Sequence, residues 1–151
     1  MSWIQDRPRL LETAYRGTQA LLRPFGRWLR RGGWVERAFV AGEKLTKGPL
    51  FDCRMCGQCI LHSTGMTCPM TCPKTMRNGP CGGVRPDGRC EVVPEMACVW
   101  LTAWERSKRM PAFGHEIRRV QAPLDRRLEG TSAWINDATG EGARVPAGWS
   151  E

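Results

Sequence analysis

No apolar run in the chain approaches the roughly 20 residues that a membrane-spanning helix needs; the longest, such as Ala20–Leu22 and Ala38–Ala41, are a fraction of that length. A secretory leader is not expected either, because Trp3–Arg9 carries charges where an apolar segment should sit. At 151 residues the chain is too short for a complete (β/α)8 barrel of about 250 residues. No glycine-rich phosphate loop follows a strand pattern, and no carboxylate pair has a recognisable catalytic setting. The two histidines, His62 and His115, form no Cys-x-His pair, which excludes Rieske ligation. His62 reads as a polar neighbour and not as a ligand. If the chain serves an enzyme, its substrate pocket is therefore expected on another subunit, and electron transfer or architecture is what remains.

Cysteine is what the chain has in excess. All 8 lie between Cys53 and Cys98, roughly 17% of that window and far above ordinary usage. Disulfide scaffolds reach such density in secreted domains, but without an export signal the spacing points to metal ligation in a reducing cytoplasm. Formal charge is +8, which raises nucleic acid as a partner. Eight thiolates around metal sites would leave about −2 per site, or roughly +4 in all. Most of the remaining excess lies in residues 1–50, with 10 basic and 4 acidic side chains.

Three segments follow. Residues 1–47 read as a basic helical arm. From Pro8 to Leu29 the apolar residues Leu10, Leu11, Ala14, Tyr15, Leu21, Leu22, Phe25 and Trp28 recur near a helical period, with Arg9, Arg16, Arg23, Arg27 and Arg30 between them. Pro24 divides this pattern into two short helices, and Trp34–Lys44 forms a third. Residues 48–110 are the cysteine module, and residues 111–151 a partner-binding tail. In that tail Trp134 and Ile135 are candidates for docking, as are the helices around Phe25 and Trp28, since neither end looks able to bury its aromatics alone.

The module opens with Cys53-Arg54-Met55-Cys56-Gly57-Gln58-Cys59. Three cysteines at this spacing reach three corners of a cubane, the run typical of bacterial iron–sulfur proteins, whereas zinc usually takes pairs from separate knuckles. Cys68 and Cys72 are each followed by proline, which turns the chain away from a ligand. Pro86-Asp87-Gly88 can fold Cys81 and Cys90 toward each other. A helix opening at Pro94 and running to Met110 would carry Cys98 in its first turn, with Trp100 and Trp104 as core packing on an apolar stripe. Cys53, Cys56 and Cys59 need one further ligand, and the four cysteines then left can fill a second site; the pairing is open.

The run Cys68-Pro69-Met70-Thr71-Cys72-Pro73-Lys74 through Asn78-Gly79-Pro80-Cys81-Gly82-Gly83, with Gly88-Arg89-Cys90 and Cys98-Val99-Trp100 after it, resembles the methylenetetrahydrofolate reductase C-terminal domain of MetV-type small subunits. The resemblance covers residues 48–110 closely and extends to Pro123-Leu124-Asp125 and Gly130–Asn136. It implies a non-catalytic subunit of one-carbon (folate) metabolism beside a flavin-binding, MetF-type TIM-barrel reductase subunit that reduces methylenetetrahydrofolate, with a redox donor as a further partner. It also implies one or two 4Fe–4S clusters, with zinc as the other filling of the second site, on Cys53, Cys56, Cys59, Cys68, Cys72, Cys81, Cys90 and Cys98; flavin is expected only in the partner. The fold expected is a small, irregular, cysteine-rich metal-cluster module with flanking α-helices and little β-structure. Competing readings are a zinc-binding nucleic-acid or protein-interaction module, disfavoured because its Arg-aromatic interleaving lies outside the cysteines, and a free-standing ferredoxin-like carrier.

Overall fold

The computed structural model describes residues 3–25, 28, 32–146 and 148. Among them the regular structure is helical: α1 (Pro8–Leu22), α2 (Trp34–Phe51), α3 (Val99–Ser107) and α4 (Ala133–Ala138), joined by short 3₁₀ turns. The sole pairing of β type among the described residues is an isolated antiparallel bridge, Arg89 with Ala97. Among the described residues, no helix is long and apolar enough to cross a membrane.

The elements sort into two compact units that interleave along the chain, Met1–Thr13 with Ile60–Gln121 and Ala14–Cys59 with Ala122–Glu151. In the first unit, α3 packs on the Leu61–Thr64 and Pro69–Thr71 turns, and Val99, Trp100 and Ala103 are buried there with Leu61, Met66 and Met70. The approach is close enough that a Cβ on Gly65, itself left-handed at φ +60°, would strike the Ala103 carbonyl. Buried polar groups complete this core. Arg106 donates to Thr67 Oγ1 and Asp6 Oδ1, each at 3.2 Å, and Glu12 accepts the Ala112 and Phe113 N–H groups at 3.0 and 2.7 Å. His62 lies 3.3 Å from Glu116 and edge-on to Phe113.

The second unit is built from the later part of α1, α2, the Cys53–Cys59 loop and the C-terminal segment. Its centre is unusually polar: Glu43, Lys47, Gln58, Ser132 and Asn136 are buried beside Leu128, Ala133 and Ile135.

Helix boundaries depart from the sequence pattern at three points. Beyond Pro24 the chain forms a 3₁₀ turn, Arg23–Phe25, where a second short helix was expected; Gly26, Arg27, Leu29 and Arg30 lie outside the described residues. α2 continues through Pro49 to Phe51, well past Lys44. The carbonyl that Pro49 cannot satisfy belongs to Leu45, a residue that is 78% exposed. α3 begins at Val99, so Cys98 is its N-cap residue and not part of its first turn. The preceding residues are drawn into extended pairing, with Cys90 N–H donating to Met96 O and Cys98 N–H to Gly88 O, both at 2.9 Å. Trp100 is core, as its stripe predicts, but Trp104 is 39% exposed. Ile135, expected at a docking surface, is fully buried, because α4 turns it into the second unit's own core.

Candidate functional site

All eight cysteines are free thiols, and they divide between the units. Cys53, Cys56 and Cys59 belong to the second, the other five to the first.

α2 delivers the chain to the three-cysteine loop through Asp52, a left-handed residue (φ 49°) whose N–H returns to Gly48 O at 2.9 Å. Met55 (φ 49°) and Gly57 (φ 72°) are left-handed as well, so the loop coils tightly and brings a backbone N–H to sulfur. Met55 N–H donates to Cys53 Sγ at 3.4 Å, and the Cys56 thiol reaches Gln58 O at 3.7 Å. Burial pushes the Cys53 thiol above its ordinary range, and Cys56 and Glu43 add to this; the Met55 N–H and the Lys47 ammonium act in the opposite direction.

The loop is braced by residues about seventy to eighty positions later. Gln58, 2% exposed, donates to Gly142 O at 3.1 Å and accepts Asp125 N–H at 2.6 Å. Asn136, wholly buried, donates to Gly57 O at 2.8 Å and to Thr131 Oγ1 at 2.7 Å. Gly130 N–H donates to Met55 O at 2.8 Å. Residues 125–142 therefore satisfy the loop's buried polar groups.

Beside this loop sits an ion pair that sequence reasoning missed. Lys47 Nζ and Glu43 Oε2 are 2.8 Å apart, with side chains only 9% and 4% exposed. Glu43 Oε1 also accepts the Ser132 hydroxyl at 2.5 Å and Trp134 N–H at 3.1 Å, while Ser132 caps α4 by accepting Ile135 N–H. Lys47 lies over the Trp134 ring at 4.8 Å, and Trp134 stacks on Tyr15 at 5.0 Å. Burial alone would lower the Lys47 ammonium, but Cys59, Glu43 and Cys53 outweigh it and raise it above its usual value. The signal available was Glu and Lys at i, i+4, a pattern that is ordinarily a solvated surface pair.

In the first unit, Cys68 is buried and heads the Pro69–Thr71 turn, its carbonyl accepting the Thr71 N–H and hydroxyl. Cys72 ends that turn. The turn expected at Pro86-Asp87-Gly88 is present, closed by Gly88 N–H to Arg85 O at 2.8 Å. Cys81 and Cys90 then share an electrostatic neighbourhood with Lys74 and Glu91. Lys74 pairs with Glu91, and Cys81 Sγ lies 3.7 Å from the same carboxylate. The hydrogen bond to Glu91 raises the Lys74 ammonium, with Cys81 and Cys90 adding to it, and Lys74 holds the Glu91 carboxyl below the usual range.

Among the described residues, no three His, Cys, Asp or Glu side chains converge as a single bound ion requires. A cubane makes a different demand, since its thiolates bind separate irons spread over its corners. The Cys53–Cys59 loop fits that donor chemistry by its spacing, its N–H to sulfur bond and the ammonium beside it.

A family model described as methylene-tetrahydrofolate reductase C terminal matches residues 33–127. Comparison with curated proteins returned no match, and neither did comparison with solved structures.

Proposed function

Because this chain belongs to the methylene-tetrahydrofolate reductase C-terminal family, we propose that it is the small, non-catalytic subunit of such a reductase, holding iron–sulfur on its cysteines beside a flavin-bearing TIM-barrel subunit. The observation that carries this reading is the Cys53–Cys59 loop, whose N–H to sulfur bond, buried brace and neighbouring cation suit an anionic sulfur-ligated group. When bound, an iron–sulfur cluster supplies one-electron transfer, which a flavin can gather into the two electrons that a methylene-to-methyl reduction consumes.

The chain's own residues have defined parts in this reading. Cys53, Cys56 and Cys59 are ligands, Met55 N–H donates to sulfur, and Lys47 offsets thiolate charge. Cys68, Cys72, Cys81, Cys90 and Cys98 are the other proposed ligands, of iron–sulfur or zinc, with Lys74 the cation beside Cys81 and Cys90. Protein purified without oxygen is expected to be brown, with roughly eight irons for two cubanes, or about four with one zinc. Colourless protein holding zinc alone would overturn the cluster reading.

The partner reading is supported by the outer face of α2. Trp34 and Leu45 are 75% and 78% exposed, Ala38 and Ala41 between them are exposed too, and nothing lies within 4 Å of a Cβ placed on Gly42. Large apolar side chains left uncovered around small ones suit the close approach of another protein. Coexpression with the flavin subunit is expected to yield a copurifying, active complex, and the Trp34→Glu/Leu45→Glu variant to lose copurification while keeping its visible spectrum. Undiminished copurification would remove α2 from the interface.

A further inference from the structure

The first unit contains a cleft of about 380 Å³ that none of the cysteine chemistry uses. Its walls are the outer side of α3, the Asn78-Gly79-Pro80 turn and the stretch Ile117–Val120. Two of these walls are clasped together: Asn78 Nδ2 donates to Gln121 O at 2.9 Å, and Gln121 N–H donates to Asn78 Oδ1 at 2.8 Å. Trp100 is 7% exposed and fixed by its indole N–H on Met76 O at 2.9 Å, so it contributes a rigid aromatic surface. Trp104 and Leu101 also line the cleft, yet they remain 39% and 41% exposed. The volume falls in the range of sites for small ligands, about 300–1,000 Å³.

Two cationic residues line this aromatic surface. Arg118 and Arg119 line the cleft, and among the described residues neither pairs with a carboxylate. The acid of their own segment, Glu116, is already engaged by the Ser63 hydroxyl at 2.8 Å and by His62. Lys108 lies over the Trp104 ring at 5.6 Å but is paired with Glu105 at 2.7 Å, so the free charge at the cleft is that of the arginines. Two exposed arginines without a carboxylate partner among the described residues, lining a hollow that indole rings also line, form a recognition set for a flat ring that carries an anion.

We propose that this cleft binds a planar aromatic acid, its ring against Trp104 and Trp100 and its anionic group on Arg118 and Arg119. Carboxylate and phosphate both satisfy that chemistry, so an aryl carboxylate and an aryl phosphate are the two sources to separate. The inference is independent of the cluster reading, because its residues are not cysteines and its test reads no iron.

Isothermal titration of the full chain with 2-naphthoate and with 1-naphthyl phosphate tests it, alongside 2-naphthamide and 1-naphthol as the counterparts without the acid. At least one acid is expected to bind about tenfold more tightly than its counterpart, a preference that salt weakens. Arg118→Gln/Arg119→Gln should abolish the preference, and Trp104→Ala should weaken charged and uncharged ligands alike, with circular dichroism and melting unchanged. Arg119→Gln alone, at an exposed position, gives the same reading if the double variant fails to fold. Binding of only one acid assigns the carboxylate or the phosphate as the source. No binding of either at millimolar concentration, or a preference that survives loss of the arginines, would overturn the proposal.

Discussion

Replacing Gly57 by alanine is expected to be among the most damaging single changes in the chain. Gly57 is left-handed at φ +72°, and a Cβ there would overlap the Leu128 carbonyl, with Thr131 Oγ1 at 2.8 Å. The conformation alone costs an alanine about 1–2 kcal/mol. Overlap with a backbone atom, which cannot swing aside as a side-chain end can, adds about 1–3 kcal/mol. The collision would also push away the segment that supplies Asn136 to Gly57 O. A total loss on the order of 3 kcal/mol corresponds to a fall in Tm of roughly 10 °C for a chain of this size, and iron content should fall with it. Gly17 and Gly42 provide the contrast, since each lies inside a helix with nothing within 4 Å of its added Cβ. Alanine at either is expected to stabilise by about 0.5–1 kcal/mol. If Gly57→Ala melts with the wild type, the brace between residues 125–142 and the cysteine loop does not hold the loop as described.

That brace marks the boundary of what the sequence discloses. The three-cysteine loop was legible because its information is local: spacing, a glycine and short connections are enough to specify a tight turn. The Pro86-Asp87-Gly88 turn was legible for the same reason. Helix limits were less so where long-range pairing competed with propensity, as at Pro94–Cys98, where a turn at Pro94 and Glu95 leads into backbone bonds of Met96 and Cys98 with Cys90 and Gly88 before α3 can start. Least legible was the partnership of Gln58 with Gly142 and Asp125, because an amide in a loop says nothing about a carbonyl more than eighty residues away. The same blindness assigned Ile135 to a docking surface: hydrophobicity shows that a residue needs cover, and not which part of the chain provides it.

The Glu43–Lys47 pair supports a second large effect, and it separates folding from site chemistry. Both charges are buried, so deleting either leaves the other without its counter-charge at a cost of about 3–5 kcal/mol. Lys47→Met should approach this value, moderated by the Ser132 hydroxyl and Trp134 N–H that still serve the Glu43 carboxylate. Glu43→Ala should reach it, because the change also removes the acceptor at the start of α4. In Glu43→Gln/Lys47→Met the charge imbalance disappears and the amide oxygen can still accept from Ser132, so at least half of the single-variant loss should return in thermal melts. Iron retention should not return with it. Lys47 is the cation that offsets Cys53 and Cys59, and a methionine leaves thiolate charge uncompensated however well the double variant folds. Lys47→Arg keeps the charge and is expected to hold more iron than the double variant, even if the bulkier guanidinium strains its seat over Trp134. A double variant that regains stability and also binds iron like the wild type would reduce Lys47 to a counter-ion for Glu43, with no part in the cysteine site.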